Sequence, residues 1–219
     1  MDREGRAAVP RAEIVWGVIR MCGIIGYVGH RPALPILIEG LHRLEYRGYD
    51  SAGVALPQDD GLYVAKSAGR ISVLEQVIDP EQVGSTGIGH TRWATHGAPT
   101  DVNSHPHCDA TGRIALVHNG IIENYLSLRT FLEQQGRTLT SDTDTEVLVQ
   151  LISFFYEGNI EDAVRRALHD VAGTYGIAVV SADEPDVIVA ARKGSPLIIG
   201  VGKGEHILAS DASAILAHT

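Results

Sequence analysis

The order in which strand and helix periodicities follow one another restricts this fold more than any other feature of the chain. A short apolar strand pattern, Met21-Cys22-Gly23-Ile24-Ile25-Gly26-Tyr27-Val28-Gly29, comes first, with a cysteine at its mouth. Pro32 to Tyr46 then places Leu34, Leu37, Ile38, Leu41 and Leu44 at helical spacing. Two strand patterns near 52–56 and 62–66 flank the hairpin signal Asp59-Asp60-Gly61, Ile71–Ile78 reads as a short helix, and Gly87–Trp93 reads as a strand. The stretch from Ala94 to Gly112 is a long loop rich in histidine and proline, and loops this long inside a compact domain are usually functional. Ile114–His118 reads as a strand ending in Asn119-Gly120. Helices follow at Asn124–Gln135, at 144–157 with Thr143 or Ser141 as its cap, and at Ile160–Leu168. The last four patterns, Tyr175–Val180, Val187–Ala191, Leu197–Val201 and Ile207–Ala209, recur about every ten residues and predict an antiparallel meander. Strands, a run of helices and strands again favour two antiparallel sheets with helices packed outside, not a parallel βαβ fold.

With 219 residues, 44% of them hydrophobic, the chain has material for one large domain, or two small ones, with a full core. The formal charge of -9 is spread without a basic stripe, which argues against a nucleic-acid partner. No apolar run has membrane-spanning length. Two cysteines, Cys22 and Cys108, make no disulfide framework, and a reducing cytoplasm suits a free thiol. Residues 1–21 read as a leader: a start assigned upstream of the working one, or else a tag or propeptide, being too short in its apolar part and too charged for a secretory signal.

Several residues could carry chemistry, and each has an ordinary alternative. Cys22 is a small buried hydrophobe at a strand end, or, once it is the first residue of the working protein, a nucleophile with its own α-amine as base. The amine's reference pKa of about 8 lies close to the thiol's value of about 8.5. Asn119-Gly120 is a hairpin turn, or a pair of N–H donors for a developing oxyanion. Arg92 is a surface ion-pair partner, or a bidentate clamp on a carboxylate. Asp144 is a first-turn helix carboxylate, or an anchor for an ammonium group. Together such an arginine and aspartate would grip an α-amino acid at both charged ends. His90, His96, His105 and His107 with Cys108 lack the paired spacing of a structural zinc site, so no metal or other cofactor is expected, and Cys108 reads as a bystander.

The motifs Met21-Cys22-Gly23-Ile24, Leu44 to Gly53 (reading LEYRGYDSAG), His90 to Gly97 (HTRWATHG), Asn103 to His107, Val117 to Asn124 (VHNGIIEN) and Ser141 to Glu146 (SDTDTE) are long and ordered. By them the chain, from residue 21 onward, resembles the N-terminal glutaminase domain of the glutamine-dependent fructose-6-phosphate aminotransferases, or glucosamine-6-phosphate synthases. These are class II, N-terminal-nucleophile amidotransferases. The resemblance implies an α+β fold, a four-layer αββα sandwich of two antiparallel sheets flanked by helices. It implies that Cys22 is the nucleophile and Asn119 and Gly120 the oxyanion hole. Arg92 would bind the glutamine α-carboxylate and Asp144 its α-amine. Thr95, His96 and His105 would form the pocket wall, Arg47 would support the cysteine terminus, and Trp93 would belong to a loop that closes on glutamine and gates the ammonia path. Residues 22–219 would be this domain, cut before its C-terminal end and before the sugar isomerase domains. Those domains would bring fructose 6-phosphate as acceptor in a full-length, cytoplasmic homodimer. Alternatives are a sister class II amidotransferase with another acceptor, an N-terminal-nucleophile hydrolase of another amide, and a non-catalytic domain that keeps the fold.

Overall fold

The computed structural model describes residues 22–93 and 98–216. In chain order these form β1 (Gly23–Val28), α1 (Ala33–Leu44), β2 (Ser51–Gln58), β3 (Gly61–Ala68), α2 (Ile71–Val77), β4 (Thr86–Arg92), β5 (His107–Cys108), β6 (Ile114–Ile122), α3 (Tyr125–Gln134), α4 (Asp144–Phe155), α5 (Ile160–His169), β7 (Gly173–Ser181), β8 (Glu184–Lys193), β9 (Ile198–Gly202) and β10 (Glu205–Ala209). A six-stranded sheet runs β3-β2-β4-β1-β10-β9 and a four-stranded sheet runs β5-β6-β7-β8. Neighbouring strands in both are antiparallel.

Three apolar cores separate four layers. Leu37, Leu41 and Leu44 of α1 pack on Ile25, Tyr27 and Val54 of the larger sheet. Leu148 and Ile152 of α4 and Val164 of α5 pack on Leu116, Ile177 and Val179 of the smaller one. Between the sheets, Ile24, Ala55 and Ile88 meet Ala115, Val117, Ala178 and Val180. Each fully buried leucine or isoleucine contributes about 1.5–3 kcal/mol of transfer free energy, so each of the cores is a substantial driving force. The αββα sandwich implied by the motifs is the fold found. Among the described residues no helix is long and apolar enough to cross a membrane.

Strand parity decides what faces the gap between the sheets. Successive side chains point to opposite faces. In β1, Ile25 and Tyr27 face α1 and Ile24 faces the other sheet. Ile88 of β4 and Val117 of β6 also face the gap, whereas Leu116 faces the helices. Counting by twos therefore carries Cys22, His90, Arg92 and Asn119 to the gap and His118 to the helix side.

The structure departs from the sequence reading in three places. The last four strands are not one meander: β7 and β8 belong to the smaller sheet, β9 and β10 to the larger. β10 pairs with β1, Ile25 opposite Ala209, a position β1 would otherwise leave as an open edge. The glycine-bearing link after Lys193 resembles a hairpin turn in sequence but carries the chain across the sandwich. Second, β6 does not end at Asn119-Gly120 but runs on to Ile122, because β7 offers Gly176 and Tyr175 as partners there. Third, the long loop contains β5, whose His107 and Cys108 pair with Leu116 and Ala115.

Candidate active site

Cys22 stands one residue before β1 with its thiol held on the backbone of one residue. Sγ accepts from the Trp93 N–H at 3.2 Å and donates to the Trp93 carbonyl at 3.3 Å. The neighbouring backbone is fixed as well: the Ile24 N–H donates to Ser210 Oγ at 2.9 Å, and the Ser210 N–H donates to the Ile24 carbonyl at 3.0 Å. Buried Arg47 lies 3.5 Å from Asp211 Oδ2, on the residue that follows Ser210. Burial pushes the Cys22 thiol up, against the Trp93 N–H and the Arg92 charge that pull it down. A thiol in that state needs a base before it can attack anything.

Asn119 reaches the same point from the other sheet: its Nδ2 donates to the Cys22 carbonyl at 3.2 Å. Next to it Gly120 has a φ of 130°. A Cβ at this position would lie 2.1 Å from the Thr174 carbonyl oxygen, so the strand can run here only with glycine. That is the physical reason for an Asn-Gly pair in mid-strand, where no hairpin turns.

Arg92 is only 4% exposed and is not a surface arginine. Its Nη1 donates to the Ala98 carbonyl at 3.4 Å and stands 3.8 Å from Asp50 Oδ1. Asp144 opens α4. Its Oδ2 accepts from the Ile122 N–H at 2.8 Å, while Oδ1 lies 3.4 Å from Thr145 Oγ1 and 4.0 Å from His118 Nδ1. One oxygen is therefore tied to the β6 backbone, and the other meets side chains at longer range on the cavity side. The Ser141–Glu146 run builds this helix start from its own side chains. Thr143 Oγ1 accepts from the Glu146 N–H at 3.1 Å, and the Glu146 carboxylate accepts from the Ser141 N–H at 2.6 Å and the Thr140 N–H at 2.8 Å.

Buried imidazoles fill the space behind Asn119. His90 Nε2 lies 2.9 Å from Asn119 Oδ1 and 3.2 Å from His105 Nδ1; His107 Nε2 lies 3.0 Å from Thr143 Oγ1. Burial drives His90 down to about 3, and His105 and His107 well below the usual range, so these rings are neutral at pH 7. The His105 segment lies close on β2 because Gly53 leaves room: a Cβ there would be 2.3 Å from the His105 carbonyl oxygen. Lys66 clamps the same segment, donating to the Ser104 carbonyl at 2.8 Å and the Pro106 carbonyl at 3.3 Å. Among the described residues no group of His, Cys, Asp or Glu is placed to hold a metal ion. Cys108 sits in β5, where burial pushes its thiol up to about 11.

A cavity of about 270 Å³ brings Cys22, Arg92, Trp93, His105, Asn119, Gly120 and Asp144 together. Thr95 and His96 lie outside the described residues, and Arg47 is not in the cavity wall. Trp93 contributes its backbone to the thiol. Residues given no site role from sequence complete the wall: His118, Ile121, Thr143, Thr145, Thr174, Ser195 and Pro196. The cap signature exposes Thr143 and Thr145 to a sequence reader, but Thr174 and the Ser195-Pro196 crossing carry no local signal. In chemical terms the cavity offers a thiol, amide donors, a buried cation and a carboxylate oxygen, a set suited to a small zwitterion bearing an acyl group.

The comparisons with known proteins agree with that chemistry. The family model described as the glutamine amidotransferase domain matches residues 79–219. The chain is 58% identical over 200 residues to a glutamine–fructose-6-phosphate aminotransferase (isomerizing) of Symbiobacterium thermophilum. It is 52% identical over 200 residues to the protein of that name from Caldanaerobacter subterraneus subsp. tengcongensis. Each match covers 91% of this chain and 33% of the relative, so the chain spans about a third of the length of these curated relatives. Among solved structures, the glutamine phosphoribosylpyrophosphate amidotransferase from B. subtilis complexed with ADP and GMP superposes with a TM-score of 0.76 at 30% identity, covering 89% of this chain and 43% of that one. A class-II glutamine aminotransferase domain protein from Silicibacter pomeroyi, with a TM-score of 0.58 at 17% identity over 86% of this chain and 88% of that one, shares the fold. With a family model spanning more than half its length, the chain belongs to the glutamine amidotransferase domain family.

Proposed function

We propose that this domain hydrolyses L-glutamine to L-glutamate and ammonia through a γ-glutamyl thioester on Cys22. The observation that carries the reading is the convergence of Cys22, Asn119, Gly120, Arg92 and Asp144, from three separate elements and the residue before β1, on one small cavity. Arg92 offers its planar fork to the α-carboxylate and Asp144 Oδ1 accepts from the α-ammonium. This sets the γ-carboxamide at the thiol. Sulfur attacks the carboxamide carbon, and its proton passes to the free α-amine of Cys22 and on to the departing nitrogen. The C–N bond breaks and ammonia leaves. Water then adds to the thioester, the amine takes a proton from it, and the C–S bond breaks to release glutamate and restore the thiol. Asn119 Nδ2, now on the Cys22 carbonyl, and the Gly120 N–H are the donors for the oxyanion of each tetrahedral intermediate. His105 and Trp93 serve as pocket wall for the glutamine, and Arg47 supports the cysteine terminus. The names of the relatives support fructose 6-phosphate as the acceptor of the ammonia, in portions of the protein beyond the third that this chain spans.

The base is free only when Cys22 is the first residue of the working protein; with residues 1–21 attached its nitrogen is an amide. The decisive measurement pairs N-terminal mass with glutaminase rate on one preparation. Protein beginning at Cys22 is expected to be active and protein retaining residues 1–21 inactive. Full activity with those residues still attached would remove the α-amine from the mechanism.

A further inference from the structure

We propose that His90 is a positioning residue that fixes which way the Asn119 amide faces, turning its N–H and not its oxygen toward the reaction centre. The proposal rests on the reading of Asn119 as an oxyanion donor. An asparagine amide is nearly symmetric in shape, and turned over it would present oxygen to a developing negative charge, a repulsion in place of a hydrogen bond. Something must forbid that orientation.

His90 Nε2 supplies the constraint. It lies 3.1 Å from the His118 carbonyl oxygen, 2.9 Å from Asn119 Oδ1 and 3.2 Å from His105 Nδ1. The His118 carbonyl can only accept, so Nε2 must carry the proton of the neutral ring whichever way Asn119 faces. With the proton there, a turned-over amide would set NH2 against N–H, donor on donor. The backbone carbonyl thus fixes the tautomer, and the tautomer fixes the amide. His90 Nδ1 is buried and has no hydrogen-bond partner among the described residues, so the ring's polar contacts are all made through Nε2. Asn119 is thereby held from two sides, by Nδ2 on the Cys22 carbonyl and by Oδ1 on His90. Both anchors lie on the larger sheet's side of the gap, His90 in β4 and Cys22 just before β1, where Ile24, two residues past Cys22, pairs directly opposite His90. Asn119 comes from β6 of the smaller one. One bond across the sandwich therefore registers the nucleophile's strand, the oxyanion donor and, two residues along β4, the Arg92 clamp.

The test is steady-state glutamine hydrolysis, read as glutamate release, by protein beginning at Cys22. His90→Leu keeps an apolar side chain but removes the donor, and should lower kcat about 10–100-fold with KM within about twofold. His90→Gln, whose amide nitrogen can stand near the position of Nε2, should recover kcat to within about threefold of the parent. In an Asn119→Ala background, His90→Leu should cost less than about twofold more, because the amide it orients is gone. A merely structural role for His90 would let the two losses multiply, and multiplication, or an unchanged kcat for His90→Leu while Asn119→Ala is impaired, overturns the proposal alone. An unaffected Asn119→Ala instead overturns the oxyanion-hole reading beneath it. Nitrogen-15 NMR of the histidine rings in the unsubstituted chain gives an answer even if a variant does not fold: His90 should be neutral with its proton on Nε2 at pH 7, and a proton on Nδ1 would defeat the mechanism.

Discussion

At Gly120 the backbone chooses the residue. A φ of 130° is costly for any side chain, and the Thr174 carbonyl oxygen occupies the place a Cβ would take, 2.1 Å away. Because the obstacle is backbone of a paired strand, relief requires β6 to shift on β7, and Asn119 shifts with it. Gly120→Ala should therefore cost about 1–3 kcal/mol of stability and lower kcat, seen as a fall in urea midpoint together with slower glutamate release. A variant as stable and as fast as the parent would contradict the φ assigned here. Arg92 makes a different kind of demand. It is buried, and its cationic fork is the group proposed to meet the substrate carboxylate. Arg92→Ala should weaken glutamine binding by about 2–5 kcal/mol, roughly 30-fold or more in KM, and Arg92→Lys should recover only part of it because lysine has no planar fork. The control is 4-aminobutanamide, glutamine without its α-carboxylate. The parent should bind it poorly, and equal binding of the two compounds would end the clamp argument.

At the scale of elements, the start of α4 couples stability to binding. Thr143 caps the helix through the Glu146 N–H and also meets His107 Nε2 at 3.0 Å, while Asp144 ties α4 to β6 through the Ile122 N–H. Thr143→Ala should cost about 1 kcal/mol of stability and, by loosening Asp144, raise KM for glutamine more than it lowers kcat. Thermal denaturation and steady-state kinetics on the same variant check both halves. This element also shows where sequence is informative. The SDTDTE run announces its own cap because the partners are within a few residues, and α1, α2, α4 and the hairpin of β2 and β3 are legible for the same reason. Asn119-Gly120 misleads because its local signal is a turn, whereas the outcome depends on Thr174 and Gly176, more than fifty residues away. The division of β7 to β10 between two sheets is hidden likewise: a link that reverses a hairpin and a link that crosses the sandwich both use glycine. His90 is visible as a residue, but its contact with Asn119 requires knowing that β4 and β6 face each other.

At the scale of the whole molecule, the seam between the sheets sets a pH limit on stability. His90 and His105 are buried there and His107 beside them on the α4 side of β5, all neutral at pH 7, with His90 pushed down to about 3 by burial and the other two well below the usual range. The charges around them are unhelpful to protonation: Arg92, Lys66 and the neighbouring imidazoles, His118 included, would all repel a new positive charge. In the unfolded chain each histidine takes up its proton near pH 6.5. Between that value and about 3 the unfolded state binds more protons than the folded state, so stability rises with pH in this window and is lost as pH falls. Above about 6.5 both states are neutral at these sites and the contribution is complete. The slope from His90 alone approaches about 1.4 kcal/mol per pH unit, and His105 and His107 add to it with the same sign. Carboxylates have their unfolded values near 4, so they contribute little at pH 5 to 6.5, and the histidine seam dominates there. Activity cannot report this, since acid would also protonate the Cys22 amine. Equilibrium urea unfolding can: the midpoint should be flat from pH 7 to 8 and fall steadily from 6.5 to 5. His107→Gln, which keeps a donor near Thr143 but cannot titrate, should make that fall shallower. A midpoint that holds constant down to pH 5 would mean that the seam admits protons without opening, contrary to the burial seen at all three rings.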